Sequence, residues 1–265
     1  MKLLFIGDVV GGAGRRTLAA LLPALRDRHG PDFVVVNGEN AAGGVGITER
    51  TAGALFDAGA DAITLGNHAF RHSEVYPFLD REERIVRPAN YPKGSPGRGV
   101  TVVERDGLAL GVVNLSGTLF LEAARSPFPE VDAILAELRG RTTHVLVDMH
   151  AEATSEKVAM GWHLDSRVTA CLGTHTHVAT ADARVLPGGT AYCTDVGMTG
   201  ARGGVIGVKR ELALEKFLKM TAVRFESSNE DPWLNGVLVE AGEDGLATSI
   251  EQILEPGPAR EAPGS

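Results

Sequence analysis

Two cysteines, Cys171 and Cys193, are all that the 265 residues contain, and they lie in the apolar stretches "TACLG" and "AYCTD". With no second thiol at Cys-x-x-Cys spacing, thiol redox chemistry and a thiolate metal site are excluded, and both read as small buried hydrophobes. Positive charge is also scarce. The 26 Lys and Arg against 34 Asp and Glu leave a formal charge of −8, and no basic block stands out. That balance excludes electrostatic wrapping of duplex nucleic acid, so a small anionic substrate needs a local positive centre. The first apolar run, "MKLLFI", is broken by Gly7 and Asp8. It is too short for a signal peptide or a membrane span, so a soluble cytoplasmic protein is expected. Internal repeats and a heptad seam are absent.

What remains is enough for one large core: the chain is 43% hydrophobic and 23% charged, which suits a single α/β domain. We expect that domain over residues 1–254 and a loose tail over 255–265, where "EPGPAREAPGS" has no core former. Short β-rich runs alternate with helical patterns: "KLLFIGD", "RRTLAALLPALRDRHG", "DFVVVNGEN", "TERTAGALFDAG", "DAITLGNH". Continuous apolar strands of this kind predict a sheet covered by helices. Thr48 is placed to cap a helix, and Gly30 and Gly59 to end one. "GVTVVERDGLALGVVNLSG" predicts a hairpin around Asp106-Gly107, which makes the sheets mixed. "PEVDAILAELRG" and "SEKVAMGWHLD" read as helices, and "THVLVDMH" and "VTACLGTH" as strands. "KMTAVRFESS" and "NGVLVEAGEDGLATSIEQIL" are expected to add antiparallel strands, the last turning at Asp244-Gly245.

Every conspicuous polar group falls at the carboxyl end of a predicted strand, the edge where α/β sheets place ligand sites. Asp8 ends the first, Glu39-Asn40 the second, Asn67-His68 the third and His150 a later one, while His175 and His177 follow "TACLG". Singly, an Asp after a strand or a Gly-Asn pair reads equally as a turn. "HTH" is harder to explain that way. On an extended backbone, residues i and i+2 project to one side, so two imidazoles share a small volume and a bound cation answers their crowding.

Asp8, Glu39, Asn40, Asn67, His150, His175 and His177 supply more N and O donors than one tetrahedral zinc takes, and no thiolate. They suit two ions about 3.5 to 4 Å apart, with Glu39 as the bridge and open positions for water and substrate. Two divalent ions outweigh the two carboxylates and a bridging hydroxide, which provides the missing positive centre. Such a site hydrolyses phosphate esters, with His68 as general acid to the leaving oxygen. N/O donors of this type accept iron, manganese or zinc.

The ordered set "GD" (7–8), "GEN" (38–40), "GNH" (66–68), "MH" (149–150) and "THTH" (174–177) resembles the motif series of the calcineurin-like metallophosphoesterases, over nearly the whole chain. Two departures stand out: Val10 occupies a slot that is usually histidine, and Glu39 replaces the usual Asp. With "VVNGENAAGGVGIT", "DMHAEATSEK" and "TDVGMTG", the chain is similar to the YmdB-like branch. The resemblance implies a four-layer α/β/β/α sandwich with two mixed sheets. It also implies a dinuclear centre of divalent or trivalent ions, iron first, with manganese or zinc as alternatives. Asp8, Glu39, Asn40 and His177 would hold one ion, and Glu39, Asn67, His150 and His175 the other, with Asn40 replacing the donor lost at position 10. The implied substrate is a small phosphodiester such as a cyclic nucleotide, 2′,3′-cyclic before 3′,5′-cyclic. No membrane or duplex nucleic-acid partner is expected, and a homo-oligomer is left open.

The glycine-rich "GDVVGGAGRRT" lacks the Gly-Lys-Ser/Thr ending of a phosphate loop and also fails Gly-x-Gly-x-x-Gly. Its glycines read as letting the backbone pass close to the site, with Arg15 or Arg16 near the rim. His29 lies at a helix end, where it suits the dipole, and His72, His144 and His163 have no comparable partners. Asp195 is placed to orient a histidine from behind, and Asp148 stays unassigned. The alternative to an enzyme is a regulatory protein that binds a nucleotide or docks to RNA-processing machinery and keeps the metal site with little turnover.

Overall fold

In the computed structural model, which describes residues 1–122 and 125–258, strands and helices alternate from the start. β1 (Lys2–Ile6) and β2 (Asp8–Val9) precede α1 (Gly11–His29), and β3 (Phe33–Asn37) leads through a long loop to α2 (Glu49–Asp57). β4 (Ala62–Thr64), α3 (Tyr76–Arg81) and β5 (Ile85–Val86) follow, then a hairpin of β6 (Val100–Arg105) and β7 (Leu108–Ser116). α4 (Pro127–Leu138), β8 (His144–His150), α5 (Thr154–Leu164) and β9 (Ala170–Thr174) come next. Short β10 (Arg184–Val185), β11 (Ala191–Cys193) and β12 (Met198–Ala201) lead to α6 (Arg210–Lys219) and the long pair β13 (Pro232–Ala241) and β14 (Ala247–Pro256). Among the described residues, no helix is long and apolar enough to cross a membrane.

Two mixed sheets result. The first runs β2-β12-β13-β1-β3-β4-β5 with β14 on β13, and the second runs β10-β11-β9-β8-β7-β6. Strand pleating divides each strand between two apolar layers. In β1, Leu4 and Ile6 pack with Leu18, Leu22 and Leu25 of α1, while Leu3 and Phe5 face Leu146 of β8 and Leu172 of β9 across the gap between the sheets. On the far side, Val145, Val147 and Met149 of β8 pack with Ile134 of α4 and Met160 of α5. The layers are therefore helix, sheet, sheet, helix, the sandwich anticipated from the sequence.

The local signals act where expected. Thr48 closes a capping box with Thr51, Gly30 ends α1 in the left-handed region, and Asp106 and Gly107 both take positive φ between paired strands. Two expectations fail. "KMTAVRFESS" is not a strand: Lys219 ends α6, Met220 caps that helix with φ 54°, and the segment finds only a single bridge, Val208 to Ser227. Among the described residues no strand runs beside it to complete a ladder, so its β propensity has nothing to act on. The tail also begins later than expected, because β14 continues through Pro256 and satisfies its backbone on β13. The rest of that stretch beyond residue 258 lies outside the described residues.

Candidate active site

The inter-sheet layer is apolar along most of its length and turns polar at the carboxyl ends of the strands. Asn37 continues the face begun by Val35, Asp148 and His150 continue that of Leu146, and Thr174 continues that of Leu172. All four polar residues are fully buried, so they must satisfy one another. Asn37 Nδ2 donates to Asp148 Oδ2 at 2.9 Å, and the Thr174 hydroxyl donates to Asp148 Oδ1 at 2.7 Å. The same hydroxyl oxygen accepts from His150 Nδ1 at 2.9 Å, which turns His150 Nε2 toward the loops beyond the strands.

The strand ends and the loops beyond them bring together Asp8, Glu39, Asn40, Asn67, His68, His150, His175 and His177. His150 Nε2 lies 2.9 Å from Asn67 Oδ1, 3.1 Å from His175 Nδ1 and 3.3 Å from Glu39 Oε2. Glu39 also accepts from the Asn40 amide at 2.9 Å and from the His68 backbone at 3.1 Å. Asn40 Nδ2 faces His177 Nε2 at 3.2 Å, which leaves Asn40 Oδ1 for His68 Nδ1 at 2.9 Å. His177 Nδ1 donates to the Ile206 carbonyl at 3.0 Å, so its Nε2 points inward as that of His150 does. Asp8 accepts from the His175 backbone at 3.1 Å and stands 3.8 Å from His177.

"HTH" reaches the site by a different route from the one predicted. β9 ends at Thr174, and His175 and His177 take φ of 96° and 66°. The two rings therefore arrive from a turn in the left-handed region, not from alternation along an extended strand. His175 packs against His150 at 4.8 Å between ring centroids, while His177 reaches the Asp8 and Asn40 side. Asp195 holds this turn from behind by accepting from both the backbone and the hydroxyl of Thr176, at 3.0 and 2.7 Å, and by pairing with the buried Lys157 at 2.7 Å.

The electrostatics of the cluster suit a cation. Asp8 and Glu39 are fully buried with no Lys or Arg beside them among the described residues, and Asp8 Oδ1 has no hydrogen-bond partner. Burial raises the Asp8 pKa above the usual carboxylate value, more than His177 and His150 lower it. For Glu39, burial is overcome by His150 and His68, which hold it well below that value. Burial is the largest single influence on His150 and opposes its charge, but the carboxylates of Glu39, Asp8 and Asp148 together outweigh it and push the pKa up to about 9. His175, buried beside His150, is pushed down to about 3. Ligand atoms of Glu39, His150 and His175 lie within 4.8 Å of one another. Gly66 supplies the room: a Cβ there would overlap His150 Nε2 and Glu39 Oε2. An orphaned buried carboxylate oxygen, inward-facing imidazole nitrogens and a side-chain-free wall fit bound cations.

Several supporting groups escape the sequence reading: Asn37 and Thr174, and Glu152, whose carboxylate is 3.0 Å from His175 Nε2. Asp148, unassigned from sequence, gains its role from the same network. Asn37 and Thr174 carry a readable signal, since each sits on the inner face two residues after an apolar core position. Nothing in the sequence marks Glu152. The glycine-rich start of α1 is a packing device: Gly14 abuts the Thr199 carbonyl of β12, and the Gly11 amide donates to the Asn40 carbonyl at 2.9 Å. Arg15 donates to the Ala41 carbonyl and Arg16 to Asn229. His72 and His144 bond to backbone carbonyls, and His163 pairs with Asp132.

Comparison with known proteins agrees with this architecture. A family profile described as "YmdB-like protein" matches residues 4–253. The chain is 47% identical over 255 residues to a 2′,3′-cyclic-nucleotide 2′-phosphodiesterase of Bacillus subtilis, covering 96% of this chain and 97% of the relative. The crystal structure of a phosphatase from Mycoplasma pneumoniae superposes with a TM-score of 0.91 at 34% identity, over 98% of this chain and 95% of the other. A 5′-nucleotidase precursor from Thermus thermophilus shares the fold alone, with a TM-score of 0.59 at 14% identity over 97% of this chain and 54% of its own. The chain belongs to the YmdB-like family.

Proposed function

We propose that this protein is a metal-dependent phosphodiesterase that hydrolyses small cyclic nucleotides, 2′,3′-cyclic in preference to 3′,5′-cyclic. The observation that carries the reading is the buried Asp8–Glu39 pair facing inward-turned imidazoles, directly beside the cleft that His68 and Asn67 line. The 2′,3′-cyclic-nucleotide 2′-phosphodiesterase activity for which the Bacillus subtilis relative is named supports the substrate class. Asp8, Glu39, Asn40 and His177 would hold one cation, and Glu39, Asn67, His150 and His175 a second, with iron expected first and manganese or zinc as alternatives. When bound, the ions supply Lewis acidity at the phosphoryl oxygens and a water activated near neutral pH.

The chain supplies the rest. Glu39 balances charge between the two donor groups, and the Asp148–Thr174–His150 chain fixes one imidazole in its ligating tautomer. His68 lies at the cleft with Nδ1 donating to Asn40 Oδ1. That bond leaves Nε2 to deliver a proton to the leaving ribose oxygen, which as an alkoxide would otherwise be a poor leaving group. The test is turnover of 2′,3′-cyclic AMP by protein loaded with Fe²⁺ or Mn²⁺ under anaerobic conditions. Metal-dependent release of a nucleoside monophosphate supports the reading. Retained metal with no turnover of any diester would instead favour a regulatory nucleotide-binding role.

A further inference from the structure

Beside His68 and Asn67 opens a cleft of about 780 Å³, continuous with the site and lined further by Phe70, Arg71, Tyr91, Phe120 and Glu122. One wall is a fixed aromatic group. Phe70 stands edge-on to Tyr76 at 5.6 Å between centroids and tilted on Tyr91 at 5.8 Å, and Tyr91 is buried. Phe120, 86% exposed, also lines this cleft. A large apolar ring left in water costs hydrophobic free energy, and among the described residues the apolar cores do not include it.

Phe120 is also held in an unfavourable conformation. Its φ is 68°, a region that bulky side chains rarely enter and that persists only where the surroundings impose it. Those surroundings are present. The buried carboxylate of Glu156, on α5, accepts from the Thr118 backbone and hydroxyl at 2.8 Å each and from the Leu119 backbone at 3.1 Å. Gly117 lets the chain pass against Glu156 and Ala151, where a Cβ would collide with both. Three hydrogen bonds to one buried carboxylate thus pin the turn that presents the ring.

We infer that Phe120 is a specificity-determining residue that stacks on the base of the nucleotide whose phosphate lies at Asp8 and Glu39, with Glu156 as the residue that positions it. The inference rests on the phosphodiesterase reading for its substrate and adds the part of the substrate that this cleft selects. An open, aromatic-walled cleft with Arg71 and Glu122 at its rim fits a flat heteroaromatic ring, because stacking needs a π face and tolerates several bases. A base-free sugar phosphate leaves the ring uncovered.

The test compares Phe120→Ala with wild type on 2′,3′-cyclic AMP and on 1-deoxyribose 2,3-cyclic phosphate, which has the same reacting ring without a base. The expected result is a KM for 2′,3′-cyclic AMP raised about tenfold, in keeping with the loss of one base–aromatic stack. Its kcat stays within about twofold, both constants for the base-free diester are unchanged, and Phe120→Trp restores the KM. An unchanged KM for the nucleotide, or an equal rise for both substrates, overturns the inference. If wild-type protein turns over neither diester, the hydrolase reading fails on its own. Calorimetric titration with adenosine 3′-phosphate then decides the stacking: weaker binding to Phe120→Ala supports it, and equal binding overturns it.

Discussion

Asp148 reaches His150 through a single hydroxyl. Thr174 Oγ1 is 2.7 Å from Asp148 Oδ1 and 2.9 Å from His150 Nδ1. Because the carboxylate can only accept, the hydroxyl proton goes to Asp148, and the hydroxyl lone pair accepts from His150 Nδ1. His150 Nε2 is thereby committed to the site, although Asp148 does not reach the site itself. Replacing Thr174 with Val removes this orientation at nearly constant volume. Metal affinity is expected to fall by about 10- to 100-fold, measured by competition with a chromophoric chelator, with near-native far-UV dichroism.

Protonation of His150 sets the pH dependence of metal binding. Its pKa in the metal-free chain, raised from the ordinary histidine value of 6.5 to about 9, means that ligation near neutral pH must expel a proton. Affinity should therefore rise with pH up to about 9. Stability runs the other way in the metal-free protein. The contribution of a group with a raised pKa is complete below 6.5 and is lost as pH climbs through 9. Melting temperatures of metal-free protein between pH 6.5 and 9 should fall for this reason, and calorimetry in buffers of different ionisation enthalpy should detect proton release on metal addition.

His68 is expected to matter in proportion to how badly the leaving group needs a proton. His68→Ala should keep its metal and lose about 10²- to 10⁴-fold in kcat on 2′,3′-cyclic AMP. On bis-p-nitrophenyl phosphate, whose phenolate leaves readily, the loss should be much smaller. Steady-state kinetics on both diesters, with metal content determined on the same samples, checks this. Equal losses on the two would remove His68 from the acid role.

Gly66 fills a purely spatial need. It does not take a positive φ, but a Cβ would overlap His150 Nε2 and Glu39 Oε2. Gly66→Ala should displace one of these groups and cost bound metal and turnover together, read by elemental analysis and by activity. Metal-free thermal stability should change far less than metal content does.

Much of this site can be read from the sequence because the pleat and strand ends are local signals. "LLFIGD", "VVVNGEN" and "AITLGNH" each show an apolar run stopping at polar residues, and the strand edge collects them. The polar floor formed by Asn37, Asp148 and Thr174 needs more, because it depends on which strands face one another across the sheets, and no single segment encodes that. The left-handed backbone at His175 and His177 is invisible for a related reason. The Asp195–Lys157 pair holds it from distant elements, so local propensity gives the wrong geometry although both rings still arrive at the cluster. The segment after Lys219 shows the opposite failure, with strand-like composition and no strand to join.

Metal stoichiometry tests the central claim most directly. Protein purified anaerobically, supplied with Fe²⁺ and freed of excess, should carry two equivalents by elemental mass spectrometry. Glu39→Gln, which removes the charge between the two donor groups, should lose at least one equivalent and its turnover of 2′,3′-cyclic AMP together. Wild-type protein that turns over the nucleotide at full rate with no bound metal, or Glu39→Gln that keeps two equivalents and full activity, would contradict the account.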